Sequence, residues 1–386
     1  MDELKLPPPV LVQDFNSLER LIPQLQKEER IGIDTESNSL YAYKEQVCLI
    51  QISTSRTDYL VDPLQINDIS PMGSVLADSS IEKILHGAEY DVICLHRDFN
   101  FQINNLFDSR VACRTLGWKK TGLGDILEME FHVRVNKRFQ RANWGKRPLP
   151  GDQLHYARMD THFLIPLREK LVQSLRNSGR WEEAYEENQR LTHIPLPENG
   201  FDPEGFWNIT HATKLSAHSQ AILRELYLLR DKYARSQNRP PFKVMGNKTL
   251  LEIAEHAPHS MGELETLHGM TSGQMHRYGD EILRAVRIGS TAPRPVRPRS
   301  PKANESVVFR YKCLLDWRRE AALQRQVESD VILSKDVVWE IASENPTGME
   351  ALRELMRDLP RRLELYGDQI LAELRNCPTR RRKGKR

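Results

Sequence analysis

The chain has 386 residues, of which 39% are hydrophobic and 28% are charged, and its formal net charge is +3. This composition is ordinary for folded proteins and excludes collagenous, coiled-coil and wholly disordered chains. The length exceeds the usual size of one domain, so we expect two or three separate hydrophobic cores.

No segment predicts membrane insertion or export. The sequence lacks the roughly 18 uncharged apolar residues that span a bilayer, and Met1–Pro9 has acids and prolines where a signal peptide needs a basic start and an apolar core. The five cysteines form no CxxC pair, so neither a disulfide framework nor a zinc site is predicted. We therefore expect a cytoplasmic protein in a reducing environment, without a membrane partner.

Short apolar runs separated by turn signals predict strands in the first half of the chain. In chain order these runs are IGIDTE, VCLIQIS, DYLVD, KILHG and NNLFDS, with a predicted helix over Glu89–Asp98 between the last two. Interleaved strands and helices are typical of an α/β sheet. From Gln153 onward the apolar spacing predicts helices, and the Pro- and Gly-rich segment 194–204 predicts a domain boundary.

The second half contains an internal repeat at an offset of 88 residues without a gap. Glu252-Ile253-Ala254 recurs as Glu340-Ile341-Ala342, and Tyr278-Gly279-Asp280 recurs as Tyr366-Gly367-Asp368. Helical spacing within each copy predicts two small all-α domains. The predicted organisation is an α/β domain over 1–200, helical domains over 212–290 and 305–376, a basic Pro-rich linker over 291–304 and a basic tail over 377–386.

The charges are distributed unevenly along the chain. Residues 1–200 carry 24 Lys and Arg against 29 Asp and Glu, whereas residues 201–386 carry 32 against 24. Six of the positive charges lie in the last seven residues. This basic second half favours an anionic partner, although a basic tail is also compatible with a purely solubilising role.

Three short segments carry the residues that predict chemistry. Asp34 and Glu36 end an apolar strand, where alternation places both side chains on one face. Asp91 begins a helix, and Tyr156 and Asp160 lie one turn apart on a later helix. Each segment alone is weak evidence for a functional site. A surface turn would explain Asp34 and Glu36, and a first-turn helix acid would explain Asp91. A buried aromatic beside a helix-surface acid would explain Tyr156 and Asp160.

Together the four carboxylates predict a metal centre. Hard oxygen ligands from separate elements suit two Mg²⁺ or Mn²⁺ ions, and a pair of such ions can drive in-line displacement at phosphorus. The predicted reaction is therefore phosphodiester hydrolysis. A phenol with a pKa of about 10 is a poor base at neutral pH, so Tyr156 is predicted to orient the attacking water.

The segments IDTES, HGAEYDVICL and HYARMDTHFL, in this order, resemble the three exonuclease motifs of the DEDD superfamily, and of ribonuclease D in particular. The stretch KRFQRANWGKRPLPGDQL resembles the basic segment before the third motif, and the C-terminal repeats resemble tandem HRDC domains. The resemblance implies an RNase H-like α/β exonuclease domain with a mixed sheet and flanking helices, followed by two all-α HRDC-like domains. It also implies two divalent metal ions and removal of 3′ nucleotides from RNA such as tRNA precursors.

Carried over residue by residue, the resemblance makes Asp34, Glu36, Asp91 and Asp160 metal-binding acids and makes Tyr156 the catalytic tyrosine. A sister subclass uses a histidine five residues before the last aspartate, and His155 occupies that position here. The neighbouring residues are similar to the tyrosine subclass, so we assign Tyr156. The geometry of the two side chains has to decide between them.

The segment before the third motif combines cations with aromatic residues and lacks acids. Cations can follow phosphates while aromatic rings stack on bases, although a solvated basic loop with its aromatic residues in the core is the alternative. The predicted RNA-binding residues are Lys137, Arg138, Arg141, Trp144, Lys146 and Arg147.

The function predicted from the sequence is that of a metal-dependent 3′-to-5′ exoribonuclease releasing 5′-mononucleotides, with no obligate protein partner. A DNA exonuclease acting in repair uses the same chemistry and stays open as an alternative. A non-catalytic RNA-binding scaffold is the alternative of another class, and the presence of all five site residues argues against it.

Overall fold

The computed structural model describes residues 6–196, 200–298 and 304–377. They form two compact units. The first contains the described residues up to Ser37, those of Val47–Leu196 and those from residue 304 onward; the second contains Asn38–Gln46 and the described residues of 200–298. Part of the predicted basic linker and nearly all of the predicted basic tail lie outside the described residues.

A six-stranded mixed sheet forms the centre of the first unit, in the order β1-β4-β3-β2-β5-β6. Strand β3 pairs antiparallel with β2 and β4, whereas β1, β5 and β6 pair parallel with their neighbours. All seven residues of β3 are buried, including the polar Gln51 and Ser53. The strands are β1 Val10–Val12, β2 Arg30–Ser37, β3 Val47–Ser53, β4 Asp58–Val61, β5 Glu82–Leu85 and β6 Leu106–Asp108.

Eight helices accompany the sheet in the described part of this domain. Their starts follow local chemistry: Asp14 caps the first helix through the Ser17 amide at 2.8 Å, and Asp108 caps the fourth. The helices are α1 Phe15–Leu25, α2 Pro71–Ala77, α3 Glu89–Phe99, α4 Ser109–Leu116, α5 Leu123–Phe131, α6 Gly151–His162, α7 Leu164–Asn177 and α8 Trp181–Leu191. The predicted mixed α/β fold is confirmed. Across the described residues, no helix is both long and apolar enough to cross a bilayer.

Helix α6 and the start of α7 pack closely against strand β2. A Cβ atom at Gly32 would lie 2.9 Å from the Thr161 carbonyl oxygen and 3.2 Å from the Leu164 Cβ. Only glycine permits this approach without a shift of the helix backbone. Because Gly32 precedes Asp34 by two residues, the close packing occurs beside the predicted metal ligands.

Two five-helix repeats follow, and their helices match at the predicted offset. Arg230 donates to the Met245 carbonyl at 3.2 Å, and the equivalent Arg318 donates to the Leu333 carbonyl at 2.6 Å. The prediction of two all-α domains is confirmed. The first repeat has α9 Ala217–Ser236, α10 Pro241–Val244, α11 Asn247–His256, α12 Met261–Glu265 and α13 Ser272–Thr291; the second has α14 Glu305–Arg325, α15 Ser329–Ile332, α16 Lys335–Glu344, α17 Met349–Leu355 and α18 Pro360–Asn376.

In the second unit, the first repeat holds the segment Asn38–Gln46. The Tyr43 hydroxyl donates to Asp231 at 2.5 Å, and the Tyr43 amide donates to Asn238 at 3.1 Å. This segment lies between the ends of β2 and β3 in the chain, so it leaves the sheet to pack with the helical repeat.

The second repeat belongs to the same unit as the sheet, and buried ion pairs join it to α8. Arg325 forms a bidentate pair with Glu183 at 2.6 and 2.8 Å. Arg362 donates to Glu186 and to the Glu183 carbonyl, both at 3.0 Å. Both glutamates are almost fully buried, so each depends on its arginine for compensation.

We expect Arg362→Ala to lower the free energy of unfolding by about 3 kcal/mol, because it leaves the Glu186 carboxylate buried with its ion pair removed. The measurement is urea denaturation followed by circular dichroism. Arg357→Ala is the control, since that arginine is exposed and forms only 3.9 Å pairs with Glu354 and Asp358. Its expected cost is below about 0.5 kcal/mol, and an equal loss in both variants would contradict this role for Arg362.

The prediction of no disulfide is wrong in the second repeat. Cys313 on α14 and Cys377 just after α18 form a disulfide with a Cα–Cα distance of 6.3 Å. They are 64 residues apart in sequence, and helix packing brings them together. Spacing rules based on short CxxC pairs do not detect such a nonlocal pair. Cys48, Cys94 and Cys113 are buried thiols.

Candidate active site

Strand β2 and helix α6 bring three predicted acids together. Asp34 and Glu36 lie at the end of β2, and Asp160 lies on α6. Each offers a carboxylate oxygen, and the three oxygens all lie within 4.8 Å of one another. Such a spacing is compatible with shared coordination of a cation.

Asp91 lies beside this group but outside it. Its side chain, on the first turn of α3, is buried, and its Oδ1 accepts a hydrogen bond from the Thr35 hydroxyl. The Asp91 charge nevertheless raises the pKa of Asp34, Glu36 and Asp160. The structure therefore places three of the four predicted acids in one group and the fourth next to them, tied to β2 by Thr35.

Burial is the largest cause of the raised pKa values of all four acids. It raises the pKa of Asp34 well above its ordinary value, and the neighbouring carboxylates of Asp91, Asp160 and Glu36 add to the effect. The pKa of Glu36 rises to about 9, and those of Asp91 and Asp160 rise to about 7. Ionising all four carboxylates side by side is therefore unfavourable in the metal-free protein. A divalent cation would compensate their negative charges. The oxygen-only donor set fits Mg²⁺ or Mn²⁺.

Helix α6 places the tyrosine and the histidine in different surroundings. Tyr156 is buried and its hydroxyl is hydrogen-bonded to Asp160, whereas His155 is exposed. Burial, followed by the charges of Asp160, Glu36 and Asp34, raises the pKa of the Tyr156 phenol above its ordinary value. The phenol therefore stays protonated at neutral pH and can donate a hydrogen bond.

Two polar residues that the sequence did not single out hold this site in place. Asp108 accepts hydrogen bonds from the Gly87 and Ala88 amides at 3.0 and 2.8 Å, which fixes the turn before α3. Gln51 is fully buried on β3 opposite Asp34, with its amide nitrogen 3.5 Å from Asp34 Oδ2. The sequence could have identified Asp108 as a helix N-cap at the end of a strand. It could not identify Gln51 in this way, because the position of Gln51 opposite Asp34 depends on the register between β2 and β3.

The basic segment divides into buried anchors and exposed cations. Trp144 is 1% exposed and packs 6.2 Å from the Tyr156 ring, so it offers no face for stacking on a base. Arg147 pairs with Asp62 at 2.5 and 2.7 Å and donates to the Cys48 carbonyl at 2.6 Å. Neither residue supports the predicted contact with RNA, because Trp144 belongs to the core and Arg147 anchors the segment to the sheet.

The other four predicted RNA-binding residues lie on the surface. Lys137, Arg138, Arg141 and Lys146 are exposed. Arg138 stacks over Phe139 at 4.5 Å, and Phe139 in turn packs 5.9 Å from Tyr156. The exposed cations are therefore carried on a segment that packs directly against the candidate active site.

Comparison with known families supports the assignments of the α/β domain and of the two helical domains. Residues 9–176 match the family described as 3′-5′ exonuclease, and residues 219–286 and 310–374 each match the HRDC domain. The sheet and the acid cluster thus belong to a 3′-5′ exonuclease domain of the DnaQ-like class. This superfamily uses divalent metals.

Two individual relatives show more specifically which exonucleases this chain is similar to. Saccharomyces cerevisiae exosome complex exonuclease RRP6 is 31% identical over 279 residues, 68% of this chain and 38% of the yeast protein. Arabidopsis thaliana protein RRP6-like 2 is 30% identical over 288 residues, 72% of this chain and 33% of that protein. The chain spans only about a third to two fifths of the length of these two relatives.

Two solved structures are similar over most of the chain. The catalytic core of Trypanosoma brucei RRP6 is 30% identical with a TM-score of 0.67, covering 75% of this chain and 82% of that one. Escherichia coli RNase D, described as an exoribonuclease involved in structured RNA processing, shares the fold at 24% identity and a TM-score of 0.69, covering 97% and 100%. The chain belongs to the RNase D/RRP6 family.

Proposed function

We propose that this protein is a metal-dependent 3′-to-5′ exoribonuclease that trims structured RNA, with tRNA precursors as the expected substrate class. The observation that carries this proposal is the group of three carboxylates within 4.8 Å, with Asp91 and Tyr156 beside it in a 3′-5′ exonuclease domain. The name of the Escherichia coli relative, an exoribonuclease of structured RNA, supports the choice of substrate.

In the proposed mechanism, Asp34, Glu36, Asp91 and Asp160 hold two Mg²⁺ or Mn²⁺ ions. Bound ions would activate the attacking water and stabilise the leaving oxygen during in-line displacement at phosphorus. Its raised pKa keeps Tyr156 protonated, so its hydroxyl donates to Asp160, and the hydroxyl oxygen orients the water by accepting a hydrogen bond from it. Its hydrogen bond to Asp160 fixes the direction of the hydroxyl before the substrate arrives.

We also propose that the exposed cations Lys137, Arg138, Arg141 and Lys146 bind the phosphates that precede the 3′ end. They lie in a segment with no acidic residue between Phe131 and Arg147, and phosphate contacts of this kind are independent of sequence. The two HRDC domains would hold the body of the RNA, which raises the local concentration of its 3′ end at the acids.

The test uses a tRNA precursor labelled at its 5′ end and a second one labelled at its 3′ end. With Mg²⁺ we expect immediate release of the 3′ label as mononucleotide and stepwise shortening of the 5′-labelled RNA, whereas EDTA should stop both. Activity that persists in EDTA would contradict the metal-dependent mechanism. Release of the 5′ label first would contradict the polarity.

A matched DNA oligonucleotide separates the RNA enzyme from a DNA exonuclease that uses the same chemistry. We expect the RNA to be degraded faster. If the full chain binds RNA but releases no nucleotide with either Mg²⁺ or Mn²⁺, the non-catalytic scaffold is the correct function.

A further inference from the structure

A buried polar network holds α6 on a face other than the one that carries Tyr156 and Asp160. At its centre is Asp58, the first residue of β4, which is 5% exposed. Arg158 forms a buried ion pair with Asp58, and His162 Nδ1 lies 3.0 Å from Asp58 Oδ2. Since Arg158 and His162 each follow a site residue by two positions, they lie roughly half a turn around the helix from them.

The network extends to a third element. The Ser53 hydroxyl on β3 donates to Asp58 Oδ1 at 2.7 Å and lies 2.7 Å from the Thr161 hydroxyl on α6. Burial alone would raise the pKa of Asp58, but hydrogen bonds from His162, Ser53 and Arg158 lower it. Asp58 is therefore an ionised carboxylate that joins α6 to β3 and β4.

The same helix packs closely against β2 at Gly32. Packing at Gly32 limits how near α6 can approach, whereas directed bonds to Asp58 define its rotation and its position along its axis. Rotation of α6 moves Asp160 relative to Asp34 and Glu36, because those two acids lie on strand β2 and do not move with the helix. Misplacement of a reacting group by about 1 Å can cost up to about a hundredfold in rate.

We propose that Asp58 is a positioning residue for the metal centre: through Arg158 and His162 it sets the rotation of α6, and thereby the separation of Asp160 from the acids on β2. This rests on the proposed function, because it assigns Asp160 to metal binding. Asp58 contacts no substrate in this role and acts only through the helix.

The test compares Asp58→Asn with the double variant Asp58→Asn/Arg158→Met in the full chain. The double variant removes the arginine that the single change leaves buried without its ion pair, so it separates lost stability from lost positioning. In both variants we expect Mn²⁺ affinity, measured from free Mn²⁺ by electron paramagnetic resonance, to fall about tenfold. We also expect kcat to fall about tenfold or more, with the KM for RNA within about twofold.

Asp62→Asn is the matched control, because Asp62 follows the other end of β4, is equally buried and pairs with Arg147 instead of with α6. It should keep wild-type Mn²⁺ affinity. Wild-type Mn²⁺ affinity and kcat in the double variant would overturn the positioning role and leave Asp58 a purely stabilising residue. Mn²⁺ affinity is read without RNA, so it tests Asp58 even if the wild-type protein releases no nucleotide, which would overturn the proposed function instead.

Discussion

Asp34→Asn is expected to reduce Mg²⁺-dependent release of 3′ nucleotides by about a thousandfold or more, while the protein stays folded. Asp34 belongs to the group of three carboxylates whose oxygens lie within 4.8 Å of one another, and the amide has nearly the same shape as the carboxylate. The change removes one anionic ligand and leaves the packing around β2 intact. The loss should therefore appear in kcat at saturating RNA.

The same change should stabilise the metal-free protein above neutral pH. A carboxyl group whose pKa is raised by folding favours the folded state at low pH, and this contribution is lost as pH rises through the folded-state pKa. Asp91 and Asp160 have pKa values raised to about 7 and Glu36 has one raised to about 9. In metal-free wild type we therefore expect the melting temperature to fall between about pH 4 and pH 9.

Thermal melts in EDTA and in Mn²⁺ at pH 5 and pH 8 measure this effect. At pH 8 in EDTA, Asp34→Asn should melt above wild type, and the difference should shrink at pH 5. Mn²⁺ should raise the melting temperature of wild type strongly and that of the variant weakly. A variant that melts below wild type at pH 8 in EDTA would contradict a crowded acid cluster, and an equal Mn²⁺ shift in both proteins would remove Asp34 from the proposed metal site.

Local sequence patterns predicted the parts of this site that depend on neighbours in the chain. Alternation along β2 placed Asp34 and Glu36 on one face, and helical spacing paired Tyr156 with Asp160. The repeat at an offset of 88 residues predicted the two helical domains, since each copy must bury equivalent positions. In each case the geometry depends on residues a few positions apart or on two similar copies of one sequence pattern.

Other features depend on contacts between distant parts of the chain. Asp58 looks like an ordinary strand residue until β4 is placed beside α6, and Glu183 and Glu186 look like surface charges until the second repeat covers α8. Trp144 stands among cations in the sequence, yet its indole lies in the core beside Tyr156. Composition identifies a basic segment but not which of its side chains face solvent.

Tyr156→Phe is expected to lower kcat about a hundredfold, with the KM for RNA changed less than about twofold. The ring packs against Trp144 and Phe139 at centroid distances of 6.2 and 5.9 Å, and phenylalanine preserves those contacts. Only the hydroxyl that is hydrogen-bonded to Asp160 is lost. The variant therefore isolates orientation of the attacking water from packing.

His155→Ala is the matched control on the same helix, and we expect its kcat to stay within about twofold of wild type because His155 is exposed. Steady-state rates on a single-stranded RNA with saturating Mg²⁺ give both comparisons. The reverse result, a small effect at Tyr156 and a large one at His155, would assign the histidine as the residue that activates water.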